Sequence, residues 1–261
     1  MADRAACPFH AGEQEMHFKT GVWQAVESLG RRMIKPAIGP VHADLLRTLP
    51  MLLVTAQDSG GRAWASALVG SPGFLSKRTL QLVDAPPAGS SADPERGTGT
   101  LGAAQQAMVA AADTFFIASS SGPLSSNDEE KGGDAAAQGS LPAVAAAFGH
   151  DISHRGGPPG FVQVEEQGRV LRWGDYEGNF MFNTLGNLLV HPACALLFLD
   201  FSSSDVLMAA GDAEVLHKDR ELPGAHRAVR FTVQEWAHLR GELPLRQQGE
   251  PEPSPFNPSA Q

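Results

Sequence analysis

The chain has 261 residues, of which 42% are apolar and 19% charged, and this apolar content excludes a wholly disordered chain. Its formal net charge of −9 argues against a nucleic-acid partner, because the phosphate backbone attracts basic surfaces. The sequence contains no apolar run near the ~20 residues that span a bilayer, and its first twenty residues carry no export signal, so we expect a cytoplasmic protein without a membrane partner.

The first fifty residues predict helices. Apolar side chains between Glu13 and Met33 recur at a spacing of roughly 3.6 residues, which predicts one helix that ends before Pro36. A second, short helix is predicted at 40–48, so we expect residues 1–50 to form an N-terminal helical arm. Three apolar segments then predict strands: MLLVTAQ (51–57), RAWASALV (62–69) and RTLQLV (78–83).

An internal repeat is the strongest pattern in the sequence. The segment WASALVGSPGF (64–74) matches DISHRGGPPGF (151–161), and an apolar strand precedes and follows each copy. The matching strands are LLVTA (52–56) with FFIAS (115–119), and RTLQL (78–82) with RVLRW (169–173). Two unrelated hairpins that merely share Gly and Pro would have to agree by accident in the order and spacing of three strands. The repeat therefore predicts duplicated half-barrels.

The repeat divides the chain beyond the arm. Residues 51–113 are predicted to form a first, truncated unit, and residues 114–240 a second unit that continues into a short helix and further strands. A low-complexity insertion at about 120–150 interrupts the second unit, and residues 241–261 form a proline-rich tail. Several short strands separated by Gly and Pro predict a mostly β fold, a β-barrel with flanking helices.

The element SHRGG (153–157) predicts an anion site. On a strand, Ser153 and Arg155 share one face and His154 lies on the other, so the Arg155 guanidinium lies beside a hydroxyl. That pair suits a phosphate or a carboxylate, and Gly156 leaves room for a ligand to approach. The alternative is a surface arginine before a glycine-rich turn.

The segment GNFMFNTLGNL (178–188) places four polar residues around the start of a short helix: Asn179, Asn183, Thr184 and Asn187. Free N–H groups and the positive end of the dipole favour an anion at a helix start. The alternative is helix capping, a common role of Asn and Thr. Together with SHRGG, this segment predicts a phosphate site inside an acidic protein.

Other candidates are weaker. His150 and His154 would share a face and hold a metal only on a helix, and the predicted strand argues against one, so we expect no metal site. Cys194 begins an apolar strand, which predicts a buried core thiol. Asp175 and Glu177 fit a solvated turn better than a carboxylate pair. No general base stands out, so the catalytic residues stay unassigned.

The sequence resembles the pyridoxamine 5′-phosphate oxidase-like FMN-binding split barrels. The resemblance rests on DISHRGGPPGFVQV, on a following D-Y-x-G-N turn and on MFNTLGNLLVHPACALLFLDF. The branch whose members carry a tandem pair of such units is the most similar, through the opening PFHAGE, the WASALVGSPGF element and the closing PLR…EPSPFNP. The resemblance covers most of the chain apart from the inserted loops.

The resemblance implies FMN held non-covalently, and it implies homodimers with the flavin at the interface. The cofactor-binding residues expected from the two elements together are Ser153, His154, Arg155, Gly156, Asn179, Asn183, Thr184 and Asn187. Among them, Ser153 and Arg155 match the family's strand element, and Asn183, Thr184 and Asn187 match its helix-start element. The first copy has Leu68 where the second has Arg155, so we expect any first flavin site to be lost.

The implied function is that of an FMN-dependent oxidoreductase. Such an enzyme moves a hydride or electrons between a reduced nicotinamide, NAD(P)H, and a small-molecule substrate, which the sequence does not identify. The alternative is a non-catalytic carrier or sensor that binds flavin or haem on the same barrel.

Overall fold

The computed structural model describes residues 7–34, 38–58, 62–71, 93–122, 150–176, 178–217, 222 and 224–245. The strand predicted at 78–83, nearly all of the insertion predicted at about 120–150 and the tail beyond residue 245 lie outside the described residues. None of the described helices is long and apolar enough to cross a membrane.

The N-terminal arm contains three helices where the sequence predicts two. Helix α1 covers Ala11–Thr20, α2 covers Trp23–Met33 and α3 covers Pro40–Thr48. The prediction of one helix from Glu13 to Met33 is wrong because Gly21 ends α1. Gly21 has φ 75°, a left-handed conformation that glycine adopts without a Cβ clash, and its N–H donates to the carbonyl groups of the last turn.

Strands dominate the rest of the described chain. In chain order the elements are β1 (Met51–Gln57), β2 (Ala63–Val69), β3 (Glu95–Thr98), α4 (Ala103–Ala111), β4 (Thr114–Ser120), β5 (His150–Gly156), β6 (Gln163–Glu165), β7 (Val170–Asp175), α5 (Asn183–Val190), β8 (Ala193–Asp200), β9 (Asp205–Leu216) and β10 (Arg227–Leu239). The predicted mostly β class with flanking helices is confirmed.

The main sheet is antiparallel and has eight strands. Its order is β5-β4-β8-β9-β10-β7-β6, and β3 pairs with β10. Strands β1 and β2 form a separate two-stranded sheet. The main sheet does not close on itself, so the expected barrel is open, which is consistent with a split barrel.

Strand β8 is apolar on both faces because both faces are covered. Its alternate residues Cys194, Leu196 and Phe198 lie in the larger core, whereas Ala195 and Leu197 pack against the β1–β2 hairpin. A strand side-chain period of two puts the two sets on opposite faces. Cys194 is buried as predicted, and burial raises the pKa of its thiol.

The two hairpins of the repeat have the same register. In β1–β2, Met51 pairs with Val69 and the ladder runs to Gln57 with Ala63. In β4–β5, Thr114 pairs with Gly156 and the ladder runs to Ser120 with His150. These pairs coincide when the repeat segments are aligned. The copies differ in position, since β4–β5 extends the main sheet and β1–β2 lies on its face.

Helix α1 crosses α5 at two glycines whose backbones nearly touch. A Cβ on Gly12 would lie 1.9 Å from the carbonyl oxygen of Gly186, and a Cβ on Gly186 would lie 2.6 Å from the backbone nitrogen of Glu13. Both obstacles are backbone atoms, which do not move aside as a flexible side chain does. Any residue larger than glycine therefore separates the two helices.

We expect Gly12→Ala to lower the free energy of unfolding by about 1–3 kcal/mol, the range for overpacking at a tight contact. Urea denaturation of wild type and variant measures this. Gly178→Ala is the matched control, because a Cβ there meets no atom within 4 Å. Equal effects of the two substitutions would contradict the close approach of α1 and α5.

Candidate functional site

A cavity of about 650 Å³ lies between β5, the end of β7, the start of α5 and the start of β10. Hairpin β1–β2 contributes Leu53 to its wall. Seven of the eight residues expected to bind a cofactor line the cavity: Ser153, His154, Arg155, Gly156, Asn179, Asn183 and Thr184. The structure therefore brings the two sequence elements together around one space.

Two arginines share one buried carboxylate in the cavity wall. Arg227 Nε and Nη2 each lie 3.0 Å from Asp175 Oδ2, and Arg155 Nη1 lies 3.5 Å from Asp175 Oδ1. The Arg227 guanidinium also stands over the Phe182 ring, 5.0 Å from its centroid, a cation–π contact. Two guanidinium charges against one carboxylate leave the cluster with an excess of one positive charge.

Asp175 is not in the solvated turn that the sequence suggests. Its side chain is only 6% exposed, because the two arginines cover it at the end of β7. The pairing needs Arg227, which lies 52 residues further along the chain. Sequence analysis missed Arg227 and the role of Asp175, since no local spacing indicates that β7 and β10 are neighbours.

Another part of the wall carries hydroxyl groups. Ser153 Oγ donates to Asp151 Oδ2 at 2.8 Å, and Thr184 Oγ1 donates to the same oxygen at 2.6 Å. Ser153 and Thr184 line the cavity, and Asp151 is not among the lining residues. Asp151 therefore joins β5 to α5 through two residues of the wall, a role that the sequence did not indicate.

The helix start is not capped by a side chain. The N-cap residue of α5 is Phe182, with φ 55°, and its side chain makes no capping hydrogen bond. Asn183 instead donates to Glu13 Oε1 at 2.8 Å, and Asn179 Oδ1 accepts from the Met181 N–H at 3.0 Å. The capping alternative thus does not account for these asparagines, whose hydrogen bonds use Asn183 Nδ2 and Asn179 Oδ1.

Asn187 lies away from the cavity. Its side chain is buried, with Nδ2 donating to Ser119 Oγ at 3.0 Å, and it is not among the residues that line the cavity. Its Oδ1 is buried and has no hydrogen-bond partner within the described part of the chain. In this structure Asn187 supports α5 from inside rather than facing a ligand.

Glu13 is a buried carboxyl group at the contact between the arm and α5. Its Oε2 accepts from the His10 N–H at 2.9 Å, and its Oε1 accepts from Asn183. Burial, and to a smaller extent the charge of Asp151, raise the pKa of Glu13 to about 7. Burial lowers the pKa of His10 and of His17, whose Nε2 donates to the Met181 carbonyl oxygen at 2.9 Å.

The histidines that the sequence considered as metal ligands lie on β5. His154 and His226 line the cavity. Burial, and then the neighbouring His191, lowers the pKa of His150. Within the described part of the chain, no group of three or more His, Cys, Asp or Glu side chains is placed to hold a metal ion.

No family model matches the chain, and no curated protein matches it. It is similar to solved structures that each cover about half of it. HupZ from Group A Streptococcus is 8% identical, with a TM-score of 0.34 over 57% of this chain and 100% of that chain. A putative pyridoxamine 5′-phosphate oxidase from Lactobacillus delbrueckii is 14% identical, with a TM-score of 0.34 over 53% and 94%.

A third structure, from Clostridium acetobutylicum, is of a protein related to general stress protein 26 of B. subtilis in the pyridoxinephosphate oxidase family. It is 13% identical, with a TM-score of 0.32 over 52% of this chain and 86% of that chain. Two of these three proteins thus carry the name of the family that the sequence resembles. At such TM-scores the function has to be argued from the residues of the cavity itself.

The raised pKa of Glu13 predicts a pH-dependent stability. Since this pKa is near 7 in the folded protein and ordinarily 4.5, the folded state holds the proton more tightly than the unfolded state. The stabilisation is complete below about pH 4.5 and is lost as the pH rises through about 7. The free energy of unfolding of wild type minus that of Glu13→Gln should therefore fall across this range.

Urea denaturation at a series of pH values measures this difference. His17 is common to both proteins, whereas His10 Nε2 lies 3.4 Å from Glu13 Oε2 and is part of the same buried pair. Glu15→Gln, on the same helix but exposed, is the control and should show no such fall. A difference between wild type and Glu13→Gln that stays constant from pH 4.5 to 8 would show that Glu13 is not buried against α5.

Proposed function

We propose that the chain binds FMN non-covalently in this cavity and acts as an FMN-dependent oxidoreductase. The observation that carries the proposal is the pair of guanidinium groups of Arg155 and Arg227 in the cavity wall, held by one carboxylate between them. Guanidinium groups bind phosphate through charge-assisted hydrogen bonds, and the positive excess favours an anion.

The residues present fit a phosphorylated aromatic ligand. The volume of about 650 Å³ lies within the range of roughly 300–1,000 Å³ that small-molecule sites occupy. Aromatic side chains supply apolar surface for a planar ring: Phe116, Phe161, Tyr176, Phe180 and Phe182 all line the cavity. Charge for a phosphate and apolar surface for a ring are thus present in one space.

When bound, the flavin supplies hydride and electron transfer, and the protein supplies binding and orientation. Arg155 and Arg227 bind the phosphate, and Phe182 holds the Arg227 guanidinium in place from below. Asn183 and Thr184, fixed by Glu13 and Asp151, keep the start of α5 against the cavity.

A reduced nicotinamide and a small molecule are the proposed partners in the reaction. The homodimer and the cytoplasmic location stay predictions.

A haem-binding carrier is the second candidate, and one observation favours it. His154 and His226 both line the cavity, and imidazole is a common axial ligand of haem iron. The two candidates predict different absorption spectra for the purified protein. A flavin spectrum together with oxidation of NADPH supports the oxidoreductase. A flavin spectrum without oxidation of NADPH supports a flavin carrier, and a Soret band supports the haem carrier.

We expect Arg155→Ala and Arg227→Ala each to lower the affinity for FMN by about tenfold or more, since each removes a charge-assisted contact of roughly 1.5–3 kcal/mol. Titration of the apoprotein followed by flavin fluorescence measures this. Riboflavin, which lacks the phosphate, should bind the variants and wild type within about twofold. Arg240→Ala is the matched control, because Arg240 pairs with an exposed glutamate, Glu95, outside the cavity. If all three variants bind FMN as wild type does, the phosphate does not lie at these arginines.

A further inference from the structure

Two hydroxyls of the cavity wall, those of Ser153 and Thr184, donate to a single atom. Ser153 Oγ and Thr184 Oγ1 both donate to Asp151 Oδ2, at 2.8 and 2.6 Å. A hydroxyl has one proton to donate and two lone pairs that accept. With that proton directed to Asp151, each hydroxyl has only acceptor capacity left for a molecule in the cavity.

A carboxylate therefore accepts from the hydroxyl part of the wall. Its charge contributes, after burial, to the raised pKa of Glu13 on α1. A phosphate group at Ser153 and Thr184 would find acceptors instead of donors, and it would lie beside a like charge. Both conditions are unfavourable for an anion.

The guanidinium part of the wall has the opposite chemistry. Arg155 and Arg227 offer only donors, and their charge exceeds that of Asp175 by one. Ser153 and Arg155 are neighbours on one face of β5, so the change from acceptor to donor takes place within two residues. The sequence alone, which shows a hydroxyl beside an arginine, predicts that both bind the same phosphate.

We infer that Asp151 is a positioning and specificity-determining residue: it confines the anionic group of the ligand to Arg155 and Arg227 and turns Ser153 and Thr184 into acceptors for N–H or O–H groups of the ligand. This inference rests on the proposed function in taking a phosphorylated flavin as the ligand. Ring N–H and ribityl hydroxyl groups are the donors that a flavin offers to the hydroxyl part of the wall.

Two substitutions of Asp151 separate its charge from its hydrogen bonds. Asp151→Asn removes the charge and keeps an oxygen that accepts from both hydroxyls. Asp151→Ala removes the charge and also frees both hydroxyl protons, which can then be donated to an anion. Binding of inorganic phosphate, followed by NMR shifts of the protein amides, should strengthen about threefold in Asp151→Asn and about tenfold in Asp151→Ala.

The affinity for riboflavin should be lowest in Asp151→Ala, the variant in which the affinity for phosphate is highest. Because riboflavin carries no phosphate, it depends on the acceptors, so we expect wild type and Asp151→Asn to bind it within about twofold and Asp151→Ala to bind it about fivefold more weakly. Ser153→Ala, at a half-buried position, should weaken riboflavin binding and leave phosphate binding within about twofold. A merely structural role of Asp151, as the bridge between β5 and α5, would weaken the binding of both ligands in Asp151→Ala and leave it unchanged in Asp151→Asn. Thermal unfolding verifies that each variant is folded.

The outcomes are distinguishable. Phosphate affinity that stays unchanged or falls in Asp151→Ala overturns the inference, as does a loss of phosphate binding in Ser153→Ala equal to that in Arg155→Ala. Wild-type protein that binds neither FMN nor riboflavin overturns the proposed function instead. The phosphate titrations use no flavin, so they still decide whether Asp151 excludes anions from the hydroxyl part of the wall.

Discussion

The cavity depends on one backbone contact, the approach of Gly12 on α1 to Gly186 on α5. With only hydrogen at both positions, the helices come close enough for Glu13 to reach Asn183 and for His17 to reach the Met181 carbonyl oxygen. These bonds hold the start of α5, which supplies one wall of the cavity. They replace a side-chain cap, because the N-cap residue of α5 makes no capping hydrogen bond. The N-terminal arm is thus part of the site without lining it.

The contact also explains why Glu13, His10 and His17 favour their neutral forms. Burial raises the pKa of Glu13 and lowers those of His10 and His17, because a close helix crossing excludes the water that would solvate their charges. Asp175 is buried as well, but two guanidinium groups accompany it. The positive excess therefore belongs to the cluster of Arg155, Arg227 and Asp175.

Period-two alternation and the repeat made the strands and both hairpins predictable, since these depend on local spacing. Gly21 was not recognised as a helix end, because the apolar spacing continues across it and only the left-handed turn reveals the break.

The partners Asp151 and Arg227 were beyond sequence reasoning for a different reason. Their roles come from contacts across 33 and 52 residues, which require the sheet order to be known. The atom to which a hydroxyl donates depends on such a contact. The sequence could not show that Ser153 and Thr184 donate to Asp151, so both were predicted to bind the phosphate.

The repeat gives the cavity its asymmetry. Leu53 of β1 and Phe116 of β4 occupy equivalent positions, and both line the same cavity, so the two hairpins contribute equivalent apolar surface. Their facing partners differ, because Ala67 stands where the second copy has His154 and Leu68 stands where it has Arg155. The first copy thus contributes apolar surface to the cavity and no charged side chain at these positions. Because only the second copy places a guanidinium there, the cavity has one charged end, and a ligand with a single anionic group has one orientation in which that group is paired.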